Sequence, residues 1–324
     1  CISFLVRSAL LKDWFWIKTI WIRYALLFWI IGIISAFMSI YPEISLKNGI
    51  AWIRFPIFAI ASIYWILDKK ELKIIFLVNS LLLAVTILLV SIIELNSTLE
   101  YKGYLYWPFN NPLVGPFISR LGILSFLFAI FLYFNSKRKV NLLTILFICT
   151  YFFILLKTGS RTGTISNLLP SLLLVFFLKP RIKKLFNLVL IASIFLIIIF
   201  LLNKGIFDKF TLFIFSNELE ATSLKQYLLL WKTGIKYFYA NFLIGMGPTN
   251  FQNYFMNNNI SVFLKEHPHN HYIQAFTETG IIGGMLYILL IIYLFKETIF
   301  NTLKNRSQMD IFFYFFPLLI LVSL

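Results

Sequence analysis

Acidic residues and cysteines are scarce in this chain, and their scarcity excludes several kinds of site. The 324 residues include two cysteines and 13 Asp and Glu, of which only four are aspartate. Cys1 and Cys149 lie in or near apolar segments without the spacing of metal ligands, so they say nothing about a redox compartment. The aspartates are far apart in the sequence, so the chain has no Asp-X-Asp pair for a divalent metal.

Long apolar runs, by contrast, dominate the sequence. Hydrophobic residues make up 60% of the chain and the mean hydropathy is +0.85, far outside the range of soluble globular proteins. Runs of about 18 to 22 residues have the length that a helix needs to cross roughly 30 Å of hydrocarbon. We therefore predict an all-α, polytopic transmembrane helical bundle with about nine visible spans, at residues 24–41, 50–67, 74–93, 113–134, 142–157, 164–178, 185–202, 273–295 and 311–324.

The ends of the chain predict that it is a fragment. It begins at Cys1, and its last apolar run stops at Leu324 after 14 residues, so we expect a protein of about 10 to 12 spans. A signal peptide is not expected, because a multi-spanning protein uses its first helix as the signal. We expect N-terminal transmembrane helices over 1–202, one large loop with short helices over 203–272, and C-terminal transmembrane helices over 273–324.

The basic residues predict the orientation of the bundle. Segments 1–23, 68–73, 135–141, 179–184 and 296–310 hold 17 of the 29 Lys and Arg in 57 residues. The loops between them hold 10 in roughly twice that length. The positive-inside rule then makes the basic segments cytoplasmic and places the loop 203–272 outside. Topology accounts for most of the net charge of +16, and no nucleic-acid partner is required.

The outer loop contains a candidate amphipathic helix, TSLKQYLLLWKTGIKYFYA, at residues 222–240. At 100° per residue Lys225, Lys232 and Lys236 fall within about 40° of one another. Its apolar residues share another face, which comprises Leu224, Leu228, Trp231 and Ile235. Two interpretations are open: an interfacial helix whose lysines lie among phospholipid phosphates, or one whose lysines attract a phosphate-bearing substrate.

Arginines in or beside apolar segments are further candidates, because a guanidinium within the membrane is costly unless it faces a cavity or a partner. Arg120 is expected about 10 Å deep from the outer side, whereas Arg54 is expected to snorkel or to pair with another helix. Arg161 lies in KTGSRTG at an outer junction. Small neighbours would let a bulky ligand approach the backbone there, although a turn between helices selects the same residues.

All three histidines of the chain lie in the first five positions of the segment HPHNHYIQAFTETGIIGG, residues 267–284. A metal site is disfavoured, because Pro268 disfavours helix before it and no spacing completes a coordination shell. A neutral imidazole at the water–membrane boundary is instead a suitable general base for activating a hydroxyl. Gly280 and Gly283 are expected to let the following helix pack closely against a neighbour and so to fix the loop.

These residues resemble the O-antigen ligase and polymerase superfamily of bacterial inner-membrane glycosyltransferases. The ligase pattern of His, then Asn, Ser or Gln, nine residues and GxxG is matched by His269, Asn270, Gly280 and Gly283. TGSRTG is similar to the arginine-bearing junction of the superfamily, and FNNPLVGPF to its Asn-Pro helix entry. The resemblance extends over about residues 44–295 and is most ligase-like over 159–295.

The segment WKTGIKYFYANFLIGMGPTNF, residues 231–251, resembles the Trp-led helix of the superfamily and the Gly-X-Gly turn after it, here Gly245 and Gly247. One position departs from the pattern. Four residues before the tryptophan the superfamily commonly has arginine, and this chain has Tyr227. A lysine such as Lys225 or Lys232 lacks the bidentate fork of arginine, so the second phosphate-binding cation is open.

The resemblance implies a metal-independent, cofactor-free enzyme that transfers a glycan from undecaprenyl diphosphate to an acceptor hydroxyl, such as one of lipid A-core. The reaction would take place on the periplasmic side of the bacterial inner membrane. His269 would be the base and Arg161 would stabilise the diphosphate leaving group. The expected substrate-binding residues are Arg120, Lys225, Lys232, Lys236, His267 and Asn270.

Alternative functions stay open at this point. A polymerase would join lipid-linked repeat units, and a protein-glycosylating relative usually carries additional soluble sequence. A transporter or flippase would use the arginines to line a path and predicts inverted repeats and broken helices at the midplane. Neither feature is recognisable in the sequence.

Overall fold

The computed structural model describes residues 2–66, 70–95, 114–135, 138–158, 161–178, 180–202, 219–251 and 267–304. Every regular element within these ranges is helical, and no β-strand occurs among them. The predicted all-α class is therefore confirmed.

Eleven α-helices follow one another in the described ranges. They are α1 (Ile2–Leu10), α2 (Ile20–Phe37), α3 (Pro42–Ala51), α4 (Arg54–Ala61), α5 (Lys70–Leu95), α6 (Val114–Asn135), α7 (Arg138–Lys157), α8 (Arg161–Leu178), α9 (Ile182–Leu202), α10 (Leu219–Ala240) and α11 (His271–Lys304). A 3₁₀ turn, Phe15–Lys18, precedes α2, and a turn of π-helix, Ser62–Ile66, extends α4.

Within the described ranges, five helical segments are long and apolar enough to cross a membrane. They are Ile20–Phe37, Pro42–Trp65, Glu71–Ile93, Ile118–Asn135 and His271–Glu297. Leu142–Lys157 and Gly163–Leu178 are shorter apolar helices. The chain is thus a multi-pass membrane protein, as its hydropathy predicted. The predicted span at 311–324 lies outside the described residues.

The second predicted span begins earlier than its hydropathy indicated. Residues 42–49, expected to be an outer loop, are helical and form most of α3. Pro42 is in the first turn, where its missing N–H leaves no hydrogen bond unmade and its fixed φ favours helix. Hydropathy marks where the chain is apolar, whereas the helix starts at the residue whose backbone geometry permits it.

The helices fall into two compact units, each made of segments that are far apart in the sequence. Unit 1 comprises Cys1–Lys73 and Asn217–Lys296, and unit 2 comprises Ile74–Ser216 and Glu297–Leu324. The N-terminal helices α1–α4 therefore share a unit with α10 and most of α11. The predicted site residues are divided between the units, with His269 in unit 1 and Arg161 in unit 2.

Aromatic residues form a hydrophobic core in unit 1. Phe4 of α1 and Trp16 of the 3₁₀ turn are buried with their ring centroids 5.7 Å apart. The Trp16 indole N–H donates a hydrogen bond to Ser8 Oγ at 3.2 Å, which satisfies the polar edge of the ring. Tyr293 of α11 packs against the same cluster together with its neighbours Leu290 and Leu294. The N-terminal helices therefore pack against the C-terminal part of α11.

A buried polar network joins three helices of unit 2. The Tyr151 hydroxyl of α7 donates to the Ile118 carbonyl of α6 at 3.0 Å and lies 3.2 Å from Asn167 Oδ1 of α8. The Asn167 amide donates in turn to the Gly163 carbonyl at 2.9 Å and reaches the Ser119 carbonyl at 3.5 Å. Buried hydrogen bonds between helices fix their relative register, so this network holds α6, α7 and α8 together at one level.

Tyr151→Phe keeps the aromatic ring and removes only the hydroxyl. It is expected to destabilise unit 2 by about 1–2 kcal/mol, because the Ile118 carbonyl and Asn167 lose their hydrogen bonds to that hydroxyl. Thermal unfolding of the full-length protein in detergent would measure this as a midpoint lower by a few degrees. Tyr239→Phe is the matched control, since Tyr239 is 70% exposed. Equal midpoints for the two variants would contradict the assigned role of the network.

Candidate functional site

Helix α11, which follows the histidines, is broken at Gly280, whose φ of 67° and ψ of −167° are not helical. An uninterrupted α-helix would separate residues 272 and 287 by about 22 Å at 1.5 Å per residue. The ring centroids of Tyr272 and Tyr287 are instead 6.0 Å apart. The chain therefore turns back at Gly280, and the apolar segment His271–Glu297 consists of two helical arms rather than one continuous helix. We call residues 271–279 the short arm of α11.

The loop after α10, residues 241–251, packs against this break through its backbone. The Met246 N–H donates to the Thr277 carbonyl and the Gly247 N–H to the Glu278 carbonyl, each at 3.0 Å. In return the Ile281 N–H donates to the Phe242 carbonyl at 2.8 Å. The break releases backbone groups from the helical pattern, and buried groups of this kind are costly unless they are paired. The loop supplies the pairing.

Two glycines make this close approach feasible. A Cβ added to Gly245 would lie 2.5 Å from the carbonyl carbon and oxygen of Glu278, and one added to Gly280 would lie 2.5 Å from the Ile244 nitrogen. Both have left-handed φ values, of 82° and 67°, which L-residues rarely adopt. Gly247, at φ 89°, faces side chains instead, since a Cβ there would lie 2.6 Å from Ser39 Cβ and from Ser45 Oγ.

Gly283, the second glycine of the GxxG pattern, has a separate role. It lies beneath the Thr279 side chain of the short arm, and a Cβ there would also lie 3.2 Å from Ile31 of α2. The first glycine of the GxxG pattern, Gly280, therefore allows the turn, and the second, Gly283, leaves space for close packing. The segments that pack closely against Gly283 are the short arm and α2.

Glu278 lies at the end of the short arm with only 1% of its surface exposed. Its Oε1 accepts hydrogen bonds from the Thr249 N–H at 3.2 Å and from Gln274 Nε2 at 3.1 Å, and Thr249 itself has a left-handed φ of 62°. The Glu278 carbonyl also accepts a bond from Ser35 Oγ of α2 at 2.6 Å. Glu278 thus holds together α2, the loop 241–251 and the short arm.

The first turn of the short arm is held by its own cap. Asn270 Oδ1 accepts hydrogen bonds from the backbone N–H groups of Tyr272 at 3.0 Å and Ile273 at 3.1 Å, the arrangement of an N-cap. A Cβ on Gly234 of α10 would lie 2.6 Å from Ile273 Cγ2. Asn270 thus sets where the helix begins, and its predicted contact with substrate stays a prediction.

The side chain of His269 is exposed on a strained backbone, with φ at 55°. The backbone N–H of His269 donates to His267 Nδ1 at 3.1 Å, and the two imidazole centroids are 4.2 Å apart. The Tyr227 ring of α10 meets the His269 ring edge to face at 5.6 Å. The residue that departs from the superfamily pattern therefore lies against the predicted base. A left-handed non-glycine residue persists only where its surroundings impose it.

Helix α10 has three faces rather than two. Lys232 and Lys236 are exposed, the side chain of Lys225 is outside the described set, and their predicted contact with substrate stays a prediction. The apolar face is also exposed, with Leu228 at 43% and Ile235 at 44%. The buried face, which the periodicity did not reveal, carries Leu230, Thr233, Gly234 and Tyr237. Leu230 and Tyr237 form a small core with Met246 and Phe251.

The predicted arginines occupy different settings. In unit 2, Arg120 of α6 is exposed, and Arg161 is the first residue of α8. In unit 1, Arg54 is the first residue of α4, and its guanidinium carbon lies 4.9 Å from the Phe55 ring centroid. This cation–π contact is with the next residue of the same helix, so the expectation that Arg54 snorkels or pairs with another helix stays a prediction.

No group of three or more His, Cys, Asp or Glu that could hold a metal comes together within the part of the chain that the structure describes. The expectation of a metal-independent reaction stays a prediction. Sequence reasoning missed the role of Glu278. A carboxylate at the start of a long apolar run was the available signal, because such a charge is retained only where it has a function.

Comparison with protein families matches residues 144–288 to the family described as O-antigen ligase. The matched range includes both the arginine junction at Arg161 and the whole pattern from His269 to Gly283. No curated protein and no solved structure matches the chain.

Gly245→Ala is expected to destabilise the protein by about 3 kcal/mol or more, because a methyl group would meet backbone atoms of α11 at a left-handed φ. The measurement is thermal unfolding of the detergent-solubilised protein. Gly32→Ala in α2 is the control, since the nearest atom to a Cβ there is 3.8 Å away and alanine favours helix. A Gly245→Ala midpoint equal to that of the control would refute the close backbone approach.

Proposed function

We propose that the chain, whose residues 144–288 match the O-antigen ligase family, is a multi-pass membrane glycosyltransferase that acts on lipid-linked glycans, and that it is a ligase. In this proposal it moves a glycan from undecaprenyl diphosphate to an acceptor hydroxyl such as that of lipid A-core. The reaction takes place on the periplasmic side of the inner membrane. The match over residues 144–288 carries this proposal, since it covers both elements to which chemistry is assigned.

His269 is the proposed general base. Its side chain is exposed, while Tyr227 and His267 contact its ring from within unit 1. Because the backbone N–H of His269 donates to Nδ1 of His267, that nitrogen carries a lone pair, and the His267 ring is neutral with its proton on Nε2. The His269 imidazole then removes the proton of the acceptor hydroxyl as that oxygen attacks the anomeric carbon.

Arg161 is the proposed group that stabilises the leaving diphosphate. As the glycosidic C–O bond breaks, the electron pair passes to the diphosphate oxygen, where a guanidinium binds it through two parallel hydrogen bonds. Arg120, on α6 of the same unit, and the lysines of α10 are proposed to contribute positive charge for binding the donor. With cations of the chain in this role, the reaction needs no metal or cofactor.

The helix break is the one feature that the transporter alternative also predicted. In transporters, a broken helix leaves backbone groups open to the substrate. Here the carbonyls of Thr277 and Glu278, which the break releases, accept bonds from Met246 and Gly247. The break therefore supports a turn of the chain rather than an ion-binding site, and this favours the transferase.

Arg161→Ala and His269→Ala are each expected to lower glycan transfer at least about 100-fold, the scale of a lost charge stabiliser or general base. Surface-glycan ladders on gels would report the loss, with the protein still made and inserted. Arg181→Ala and His271→Ala are matched controls, since both residues are exposed and neither has a role in the proposal. A normal ladder from either test variant would remove that residue from the mechanism.

Complementation of ligase-null and polymerase-null hosts with the full-length gene would identify the acceptor. A ligase joins the glycan to the core, so the ligase-null host should regain core-linked glycan. Restored long chains in the polymerase-null host would show instead that the acceptor is another lipid-linked chain. That result would replace the proposed ligase with the polymerase.

A further inference from the structure

Tyr227 is a partly exposed aromatic residue beside the proposed base, and the proposed mechanism does not use it. Its surface is 42% exposed. Its ring meets the His269 ring with the centroids 5.6 Å apart and the planes at 82°. Binding sites for organic ligands are lined mainly by apolar and aromatic side chains, with a few polar groups that orient the ligand. The tyrosine and the imidazole together offer both kinds of group to a molecule that His269 acts on.

The packing of α10 against the short arm fixes the backbone that carries Tyr227. Gly234 lies seven residues after Tyr227 on α10, which is two helical turns and therefore the same face. The Thr277 hydroxyl of the short arm donates to the Gly234 carbonyl at 3.1 Å. A Cβ on Gly234 would lie 2.6 Å from Ile273 Cγ2. The face of α10 that packs against the short arm is thus the face that carries Tyr227, so the contact with His269 belongs to a packed joint within unit 1.

Two other exposed tyrosines of unit 1 have different surroundings. Tyr239 is 70% exposed, and its ring packs against the adjacent Phe238 of the same helix. Tyr272 is 48% exposed, and its ring packs against Tyr287 in the other arm of α11. Exposed tyrosines of a membrane protein commonly anchor it at the interface between lipid and water, and that role requires no contact with a site. Tyr227 differs from both because its ring contacts the candidate base.

The chemistry of a tyrosine side chain selects the kind of ligand that Tyr227 can hold. The ring has an apolar face, and its hydroxyl both donates and accepts hydrogen bonds. A sugar presents the complementary groups, with C–H bonds on the face of its ring and hydroxyls around the edge. A phosphate is instead bound most strongly by cationic side chains, and a tyrosine offers no charge. Tyr227 therefore suits a neutral sugar ring better than a phosphate.

We propose that Tyr227 binds the sugar that carries the acceptor hydroxyl and orients this hydroxyl toward His269. The inference rests on the proposed ligase reaction, which makes lipid A-core the acceptor. A general base lies within hydrogen-bond distance of the hydroxyl whose proton it takes. An acceptor sugar bonded to the imidazole is therefore next to the tyrosine ring that touches this imidazole. Tyr227 is then a specificity-determining residue on the acceptor side of the reaction.

Binding of lipid A-core and of lipid A to the purified full-length protein in detergent tests the proposal. Both probes have the same lipid, and only the first has the core sugars. Tyr227→Leu keeps an apolar side chain and removes the ring and its hydroxyl. We expect about 10-fold weaker binding of lipid A-core, the scale of one ring contact and one hydrogen bond, and unchanged binding of lipid A, which also shows that the variant is folded. Tyr227→Phe keeps the ring and should lose less affinity than Tyr227→Leu.

Tyr239→Leu is the matched control, since Tyr239 is an exposed tyrosine on the same helix and its loss should leave both affinities unchanged. A Tyr227→Leu variant that binds lipid A-core as tightly as the wild type would overturn the inference. An equal loss of affinity for both probes would also overturn it, because the ring would then contact the lipid. The same holds for a wild-type protein without a preference for lipid A-core, or for a Tyr239→Leu variant with the same loss as Tyr227→Leu.

The two proposals fail in different ways in these measurements. Binding of lipid A-core that depends on Tyr227, together with an absent glycan ladder from wild-type protein, would keep the sugar site and remove the glycan transfer. A normal ladder together with unchanged binding of lipid A-core in Tyr227→Leu would keep the transfer and remove Tyr227 from the acceptor site.

Discussion

The backbone of the loop 241–251 meets the backbone of α11 at the break, where Gly245 lies against Gly280. The candidate site of unit 1 depends on that contact. A side chain at either position would occupy the space of main-chain atoms on the other. Because the two backbone segments are so close, the N–H groups of Met246 and Gly247 donate to the carbonyls of Thr277 and Glu278, which the break releases from the helical pattern. Without that exchange, the break would leave unpaired polar groups in an apolar environment, which is costly.

The break has consequences at both ends of the short arm. At its far end Glu278 is buried and joins the short arm to Ser35 of α2 and to Thr249. At its near end Asn270 caps the helix and leaves His269 exposed beside Tyr227. The short arm is thus held at both ends, which fixes the backbone next to His269. The proposed general base needs a fixed position, because proton transfer depends on a short and well-aligned contact.

Charge is distributed differently in the two units. Unit 1 contains a carboxylate that is buried among hydrogen-bond donors, whereas α6–α9 of unit 2 contain basic residues and no acidic ones. The scarcity of aspartate and glutamate in the composition is therefore most pronounced in α6–α9.

Much of this molecule was predictable because its signals lie in neighbouring residues. Run length and hydropathy predicted the helices and their membrane setting, and α10 was predicted from its periodicity. The spacing from His269 to Gly283 marked the segment whose family match followed. The extent of α3 was missed because Pro42 starts a helix ahead of the apolar run, and the buried face of α10 was missed because Thr233 and Gly234 are not hydrophobic.

The sequence by itself determined the all-α membrane class and the order of the chemical groups along the chain, since both follow from the local pattern. Only tertiary structure decided which groups meet. Glu278 bonds a residue 243 positions away, and Ser45 bonds Pro248 across 203 positions. Nor does any local pattern state that Tyr227 contacts His269 or that Gly245 faces Gly280. Such contacts depend on the packing of distant segments, where shape and hydrogen bonding select one partner among many.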